Sequence, residues 1–399
     1  MSFNQEIFKS FDSLYYWVKK GKFCGWDPYD ALNSNSITKL CMGSPMLEIL
    51  ATQFNKYSII NLRPFLGVKK GIDVKGMSLF SQAFLKMYNI TNDDKYKDDL
   101  LEGISFLKNK SLKSKYGYDC WAGHYYNYRS ASKNILTPNI PDIITTSNVI
   151  KVAIDSSFIF ERNDFKDMGM NAYEFLINSL LKKRENGDYY MMYKPSDGDK
   201  VVVNASAEGL NAICRIMSSS EKNNKMHEIT EKITNFLLKS QKSDGSWIYS
   251  EYNGIIRNQV DFHQGFILDS LIEYLPFANN EQENDLINCI KKGAEFYRRN
   301  QFLDDGRCHF RYPQLYPIDI HNQAQGIITF SKLGFLNDEY LEFAKKIADW
   351  TIHNMQDNSG YFYYQNYKFF TNKTPHMRWG QAWMMLALAT HLEQKYGKS

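Results

Sequence analysis

Apolar residues recur along the chain at helical spacing, in long segments of two alternating kinds. In the first kind, which includes MHEITEKITNFLLKSQ, NDLINCIKKGAEFYRRNQ and DEYLEFAKKIADWTIHNMQ, an apolar stripe runs opposite a charged face. That pattern predicts amphipathic helices with one side in water. In the second kind, over 76–89, 143–161, 203–218, 258–277, 318–334 and 375–395, charges are few and small residues are many. These segments predict helices packed on every side. Helices of the first kind are expected at 3–20 and from 93, 164, 221, 281 and 338, so each kind supplies six.

A glycine turn followed by an aromatic stretch leads into most of the inner segments. The copies begin at Glu185 (ENGDYYMMY), Ser243 (SDGSWIYSEY), Asp304 (DDGRCHFRY) and Asp357 (DNSGYFYYQNY), with a looser one from Tyr116. A period of about 60 residues suits helical hairpins with long loops on one face. The first outer helix has no preceding partner, and the last inner helix has no following one. Pairing the two termini resolves both leftovers. The expected architecture is therefore an all-α (α/α)6 toroid, a six-hairpin barrel spanning 1–399 as one domain. The N-terminal outer helix and the C-terminal inner helix close it, with aromatic loops and short β-hairpins at the cleft end. An open two-domain array of helices is the structural alternative.

Composition narrows the partners. With 43% hydrophobic, 15% aromatic and 23% charged residues, the chain can bury a large core and is not disordered in character. The net charge of +4 is mild and its lysines are dispersed, which argues against nucleic acid. Cys24, Cys41, Cys120, Cys214, Cys289 and Cys308 form no CxxC pair, so reduced thiols are expected, with no metal or cofactor. Asp12 and several lysines interrupt the N-terminal apolar positions, so no secretory segment is visible. No apolar run reaches about 18 residues, which removes a transmembrane span. A cytoplasmic location follows as the expectation, and peripheral membrane contact with a lipid-linked substrate is compatible with it.

In a toroid the loops that lead into the inner helices gather at one end, and polar residues concentrate there. Asp27 and Asp30 lie in GWDPYDALNS, and Trp121, His124 and Tyr125 in CWAGHYYNY. Asn204 and Glu208 follow, then Asp261, His263 and Gln264 in DFHQG. Tyr316, Asp319, His321 and Gln325 lie in YPIDIHNQAQG, and Arg378, Trp379 and Gln381 in MRWGQAW. Two D-x-H motifs, Asp261-Phe262-His263 and Asp319-Ile320-His321, stand at equivalent places before a Gln and a Gly. Residues two apart on a helix diverge by about 200°, so each pair is expected to divide into a chemical and a structural role. The imidazole can move a proton near neutrality, whereas an aspartate at a helix start can serve as an N-cap. Catalytic roles are expected for His263, His321, Asp261, Asp319 and His124, and substrate contact for the others. Aromatic rings stack on the apolar faces of pyranoses, which points to a sugar, an oligosaccharide or a lipid-linked glycan.

The segment NFLLKSQKSDGSW resembles the QW repeat of terpenoid cyclases in Phe236, Leu237, Gln241, Gly245 and Trp247. In that family the repeat is structural, and the DxDD acid motif is absent from this chain. Taken together, GWDPYDALNS, INLRPFLGVKKG, SDGSW, DFHQGF, FYRRNQF, LYPIDIHNQAQ and MRWGQAW resemble the VpsJ-like polysaccharide biosynthesis proteins, from Gly25 to about Ala389. That resemblance implies a six-hairpin glycosidase-like fold and a role in cell-surface glycan synthesis. Ala324-Gln325-Gly326 is also similar to a turn in the helical domain of glucuronyl C5-epimerases, whose upstream β-domains are missing here. Two enzyme classes follow: a sugar or uronate epimerase or isomerase working by acid–base proton transfer, and a glycoside hydrolase using a carboxylate pair. A non-catalytic glycan-binding protein is the third reading.

Overall fold

Most outer segments start at a side-chain cap, Asp93, Asn223, Asn279 or Asn337, and keep one face apolar. In the segment Asp338–Met355, Asn337 accepts a hydrogen bond from the backbone N–H of Glu339, and Asp338 and Glu339 occupy the first turn. Its buried Phe343, Ala344, Ile347, Ala348, Thr351 and Met355 form the inward stripe. The inner segment Ile143–Ile159 is instead buried almost all round, which its small Thr145, Thr146, Ser147, Ala153 and Ser156 permit.

The computed structural model describes residues 3–129, 135–219 and 223–396. In chain order its helices begin with α1 (Phe3–Lys20), α2 (Asn35–Cys41), α3 (Pro45–Tyr57), α4 (Val74–Thr91) and α5 (Asp94–Asn109). They continue with α6 (Lys113–Tyr116), α7 (Ile143–Ile159), α8 (Asn163–Phe175), α9 (Val203–Met217) and α10 (Asn224–Lys239). The last are α11 (His263–Tyr274), α12 (Asn280–Phe296), α13 (Ile320–Lys332), α14 (Asp338–Met355) and α15 (Trp383–Tyr396).

The inner helices close a ring. Helix α4 packs on α7, α7 on α9, α9 on α11, α11 on α13, α13 on α15, and α15 returns to α4. Each carries its outer partner, and α1 packs on α15 as the pairing of termini requires. The fold is the (α/α)6 toroid.

The glycine turns weld neighbouring hairpins together, and one contact repeats around the ring. Gly245, Gly306 and Gly360 have φ of 93°, 94° and 109°, a region open to glycine. A Cβ on them would lie 2.5 Å from Lys292 O, 2.8 Å from Lys346 O and 2.2 Å from Ser13 O, respectively. Each turn therefore presses on the backbone of the next outer helix, and for Gly360 that helix is α1. Side-chain amides repeat the pattern: Gln241 Nε2 donates to Gly245 O and Cys289 O, and Gln356 Nε2 donates to Gly360 O and Ser10 O. The QW-like segment is thus a structural device in this chain.

Short antiparallel strands fill the loop end. They are β1 (Tyr128–Arg129) with β2 (Ile135–Leu136), and β3 (Leu181–Lys183) with β4 (Tyr189–Met191). A second group joins β5 (Val201–Val202), β6 (Ser250–Tyr252) and β7 (Ile255–Arg257). The third joins β8 (Ile318–Asp319), β9 (Gln365–Asn366) and β10 (Thr371–Asn372), with Asp319 opposite Gln365.

Three details differ from the sequence expectations. The segment expected as helix from 375 opens as a π-helical turn, Met377–Ala382, before α15. The start expected at 221 lies outside the described residues, and α10 begins after Asn223, which caps it. Helices α2 and α3, between α1 and α4, were not expected and form a small insertion with its own core of Ala31, Ile37, Cys41 and Val68.

Candidate functional site

The hairpin register decides which side chains face the axis. Near the start of five inner helices, one side chain accepts a hydrogen bond from the backbone N–H of the preceding loop. These pairs are Thr146 with Trp121, Ser206 with Met191, Gln264 with Trp247, Gln323 with Cys308, and Gln381 with Phe362. Gln264 and Gln381 also donate to the carbonyl of the same loop residue. Two residues after the loop contacts at Met191, Trp247, Cys308 and Phe362 the chain reaches Tyr193, Tyr249, Phe310 and Tyr364, and all four line one cavity of about 310 Å³. The aromatic stretches thus deliver one ring per hairpin to that cavity.

The same register corrects the reading of the D-x-H motifs. With Gln264 equivalent to Gln323, Asp261 corresponds to Ile320, and His321 corresponds to Phe262. The two motifs are one residue out of phase, so their parts do different work. Asp319 caps α13, accepting from His321 N at 2.9 Å and Trp379 Nε1 at 3.0 Å on Oδ1, while Gln365 Nε2 donates to Oδ2 at 2.7 Å. Burial raises its carboxyl. Asp261 sits 2.5 Å from the Nδ1 of His263 and accepts from the backbone N–H of His263 and from Gln259 Nε2. A carboxylate partner assigns the Nδ1–H tautomer to neutral His263, which leaves Nε2 as the proton acceptor. Burial works to raise Asp261, but the His263 ring and these donors hold it below the usual carboxylate range.

His321 is the most exceptional group in the cavity. It is buried, and neither ring nitrogen has a hydrogen-bond partner among the described residues. Its ring stacks on Phe262 at 4.1 Å and on Trp383 at 4.7 Å, and meets Trp379 edge-on at 4.7 Å. Burial, then the charges of Lys75 and Arg378, push its pKa well below the ordinary histidine value, so the imidazole is neutral. Phe262 stacks on His263 as well, at 4.2 Å, and so lies between the two imidazoles. A buried polar atom without a partner costs about 1–3 kcal/mol, which a bound hydroxyl would relieve.

Positive charge dominates the walls. Lys56, Lys75, Arg257, Arg311 and Arg378 line the cavity against the two carboxylates Asp261 and Asp319. Lys75 Nζ lies 5.4 Å from the Trp383 ring centroid, and burial with repulsion from Arg378 lowers its amine to about 8. Arg378 is engaged by Asp27, with Nε and Nη2 each 2.8 Å from a carboxylate oxygen. Burial would raise Asp27, but Arg378 lowers it, whereas burial keeps neighbouring Asp73 raised. His124 lies 4.0 Å from Asp73, and burial and Arg378 lower its imidazole to about 3.

Of the residues singled out in the sequence, the cavity collects His124, Asn204, Asp261, His263, Asp319, His321, Arg378 and Trp379. The others lie elsewhere. Trp121 is a core residue whose Nε1 donates to Leu107 O, as Trp247 donates to Leu237 O, so it is a second structural tryptophan. Gln264 and Gln381 turn back to loop backbone, as described. Asp27 sits behind Arg378, and Asp30 is buried against Arg63 at 2.9 Å. The Tyr125 hydroxyl donates to Gly25 O, and the Tyr316 hydroxyl accepts from Arg307. Glu208 and Gln325 line a different cavity at the opposite end of the ring, paired with Lys151 and Asp269. Lys56, Lys75, Tyr193, Tyr249, Arg257, Arg311 and Tyr364 join the cavity without having been singled out.

Solved structures share this fold. A cellobiose 2-epimerase from Bacillus thermoamylovorans matches with a TM-score of 0.62 at 10% identity, covering 81% of this chain and 88% of its own. A GH76 α-mannanase from Bacteroides thetaiotaomicron matches with a TM-score of 0.63 at 10% identity, covering 82% and 88%. An unsaturated glucuronyl hydrolase from Bacillus sp. GL1 matches with a TM-score of 0.58 at 12% identity, covering 80% and 86%. These neighbours share the (α/α)6 toroid fold of this chain. No family model matches the chain, and no curated protein matches it, so the VpsJ-like resemblance stands on its motifs alone.

Proposed function

We propose that the chain is a carbohydrate-active enzyme, and that its 310 Å³ cavity epimerises or isomerises a sugar by proton transfer. The observation that carries this reading is the division of labour among the titratable groups. Both lining carboxylates are occupied by donors, whereas His321 keeps both nitrogens unpartnered and His263 has only Nδ1 tied to Asp261. Neutral His321 fits the base that withdraws a proton from a carbon beside a carbonyl or carboxylate. On the other face His263, in the imidazolium form that Asp261 pairs with, gives a proton from Nε2 to the same carbon, and exchange with solvent then resets both imidazoles. The protonated Lys75 amine offsets the negative charge that develops on the enolate-like intermediate. Tyr193, Tyr249, Phe310 and Tyr364 supply faces for the sugar ring. The excess of cations favours an anionic sugar, with a uronate as the preferred substrate, and the VpsJ-like motifs suggest a role in cell-surface polysaccharide synthesis.

Sugar epimerase, isomerase and glycosidase activities are all found on this fold, so the choice rests on the side chains. A hydrolase needs a carboxylic acid free to give up its proton to the leaving oxygen. Asp27, Asp30, Asp261 and Asp319 are each engaged by a guanidinium, an amide or an indole, and Asp73, whose Oδ2 has no hydrogen-bond partner, lies outside the cavity lining beside Arg378. Binding and turnover separate the enzyme from a glycan-binding protein. With glucuronate and glucose as probes, calorimetry on His321→Gln should retain binding, with glucuronate preferred, while turnover disappears. Equal turnover in wild type and variant would refute the assignment.

A further inference from the structure

Helix α3 is built inside out. Its buried positions are the polar Glu48, Thr52 and Asn55. Met46, Leu50, Phe54 and Tyr57 point the other way and are 67%, 53%, 62% and 51% exposed. At about 100° per residue these four fall within about 80° of one another, opposite the buried polar stripe. The polar side faces protein partners: Glu48 pairs with Arg129, the Thr52 hydroxyl donates to the Glu48 carbonyl, and Asn55 Nδ2 donates to Asp30. Flanking residues extend the apolar face, with Leu40, Met42 and Phe65 between 75% and 85% exposed. A contiguous face of this kind marks a contact surface rather than scattered surface hydrophobes.

Charge identifies the partner. From Ala31 to Ile72 the only acid is Glu48, which is buried, while Lys39, Lys69 and Lys70 are exposed. We propose that this face is a docking surface for an anionic lipid bilayer, with the α3 stripe seated among the acyl chains and the lysines on the headgroups. The face adjoins the cavity. Lys56, on α3, lines the cavity and donates to the Tyr29 hydroxyl at 3.0 Å, and the neighbouring β10 strand is tied to the insertion by Asn372 donating to Ser58 O. The loop between β9 and β10 presents Phe369, 87% exposed, beside exposed Lys368. Docking in this orientation presents the cavity mouth to the headgroup layer. This inference is independent of the reaction assigned to the cavity.

The test is sedimentation of the full chain with vesicles of phosphatidylglycerol and phosphatidylcholine, and with phosphatidylcholine alone. The wild type should pellet with the anionic vesicles, and raised salt should weaken the binding. Phe54→Ser with Phe65→Ser, and separately Lys39→Glu with Lys69→Glu, should each weaken binding about tenfold. Melting temperatures should stay close to that of the wild type, because all four side chains are exposed. Failure to bind anionic vesicles at low salt, or binding unchanged in both double variants, overturns the proposal. A concentration-dependent dimer that Phe54→Ser with Phe65→Ser disperses, in a chain that ignores vesicles, would assign the face to a second copy instead.

Discussion

The toroid holds a cavity at each end of its axis, and the two differ in chemistry more than in size. The loop-end cavity is about 310 Å³ and the opposite one about 370 Å³. Phe266 lines both, and its ring centroid lies 5.4 Å from that of Trp383, which lines the opposite cavity, so the two rings separate the ends. In the opposite cavity each cation faces a carboxylate: Lys151 meets Glu208 at 3.1 Å, Lys332 meets Glu273 at 3.0 Å, and Lys86 meets Glu393. At the loop end, an unpartnered neutral imidazole sits beside a carboxylate-oriented one under excess positive charge. Volume alone would favour the opposite end. At the opposite end Asp269 also keeps one oxygen, Oδ1, without a partner, so the choice rests on the two imidazoles and the excess charge together.

The largest effect should come from the unpartnered ring. His321→Gln is expected to lower turnover by about 10²–10⁴-fold while thermal melting stays within a few degrees of wild type. Asp261→Asn follows, with about a 10²-fold loss, because an amide can hold His263 in the wrong tautomer. Retention of full activity in Asp261→Asn would remove His263 from the mechanism.

Lys75 should show itself through pH. Its folded pKa of about 8 lies below the ordinary 10.5. Between those values the unfolded chain therefore binds more protons than the folded one. The penalty for burying the charged amine is constant below about pH 8 and fades as pH rises through that window, so stability should rise there. Turnover should fall over the same range as the stabilising charge is lost. Lys75→Met is expected to lose about tenfold in turnover, to abolish the limb above pH 8, and to melt about 1–3 °C higher at neutral pH. An unchanged basic limb in this variant would mean that another group produces it.

Smaller effects test the structural residues and the far end. Asp319→Ala should cost about 0.5–2 kcal/mol through loss of the α13 cap, with the activity of the folded fraction largely kept. Glu208→Gln should lower the melting temperature by breaking the Lys151 pair and change turnover less than twofold. A large catalytic loss in Glu208→Gln would move the active site to the opposite cavity.

The ring was legible because twelve amphipathic and apolar segments alternate and because glycine turns recur where each loop presses on the next outer helix. The insertion of α2 and α3 escaped notice because the outward face of α3 is apolar, which reads in sequence as a core stripe. Within the site, polar residues at inner-helix starts pointed to His263, His321, Asn204 and Arg378. Gln264 and Gln381 misled because a side chain one turn into the helix can bend back to loop backbone. The matching of the D-x-H motifs failed by one residue, a shift that only the hydrogen-bonded register reveals. Lys75 carried no sequence signal, since its character comes from burial beside Arg378 and Trp383.

The central claim is that the loop-end imidazoles move a proton on carbon. It is tested most directly by incubating the chain in heavy water with glucuronate, glucose, mannose and cellobiose and following the sugars by NMR. Solvent deuterium is expected on a ring carbon of at least one sugar, and is expected to be absent with His321→Gln. New reducing ends without deuterium, or deuterium incorporation that persists in His321→Gln, would contradict it.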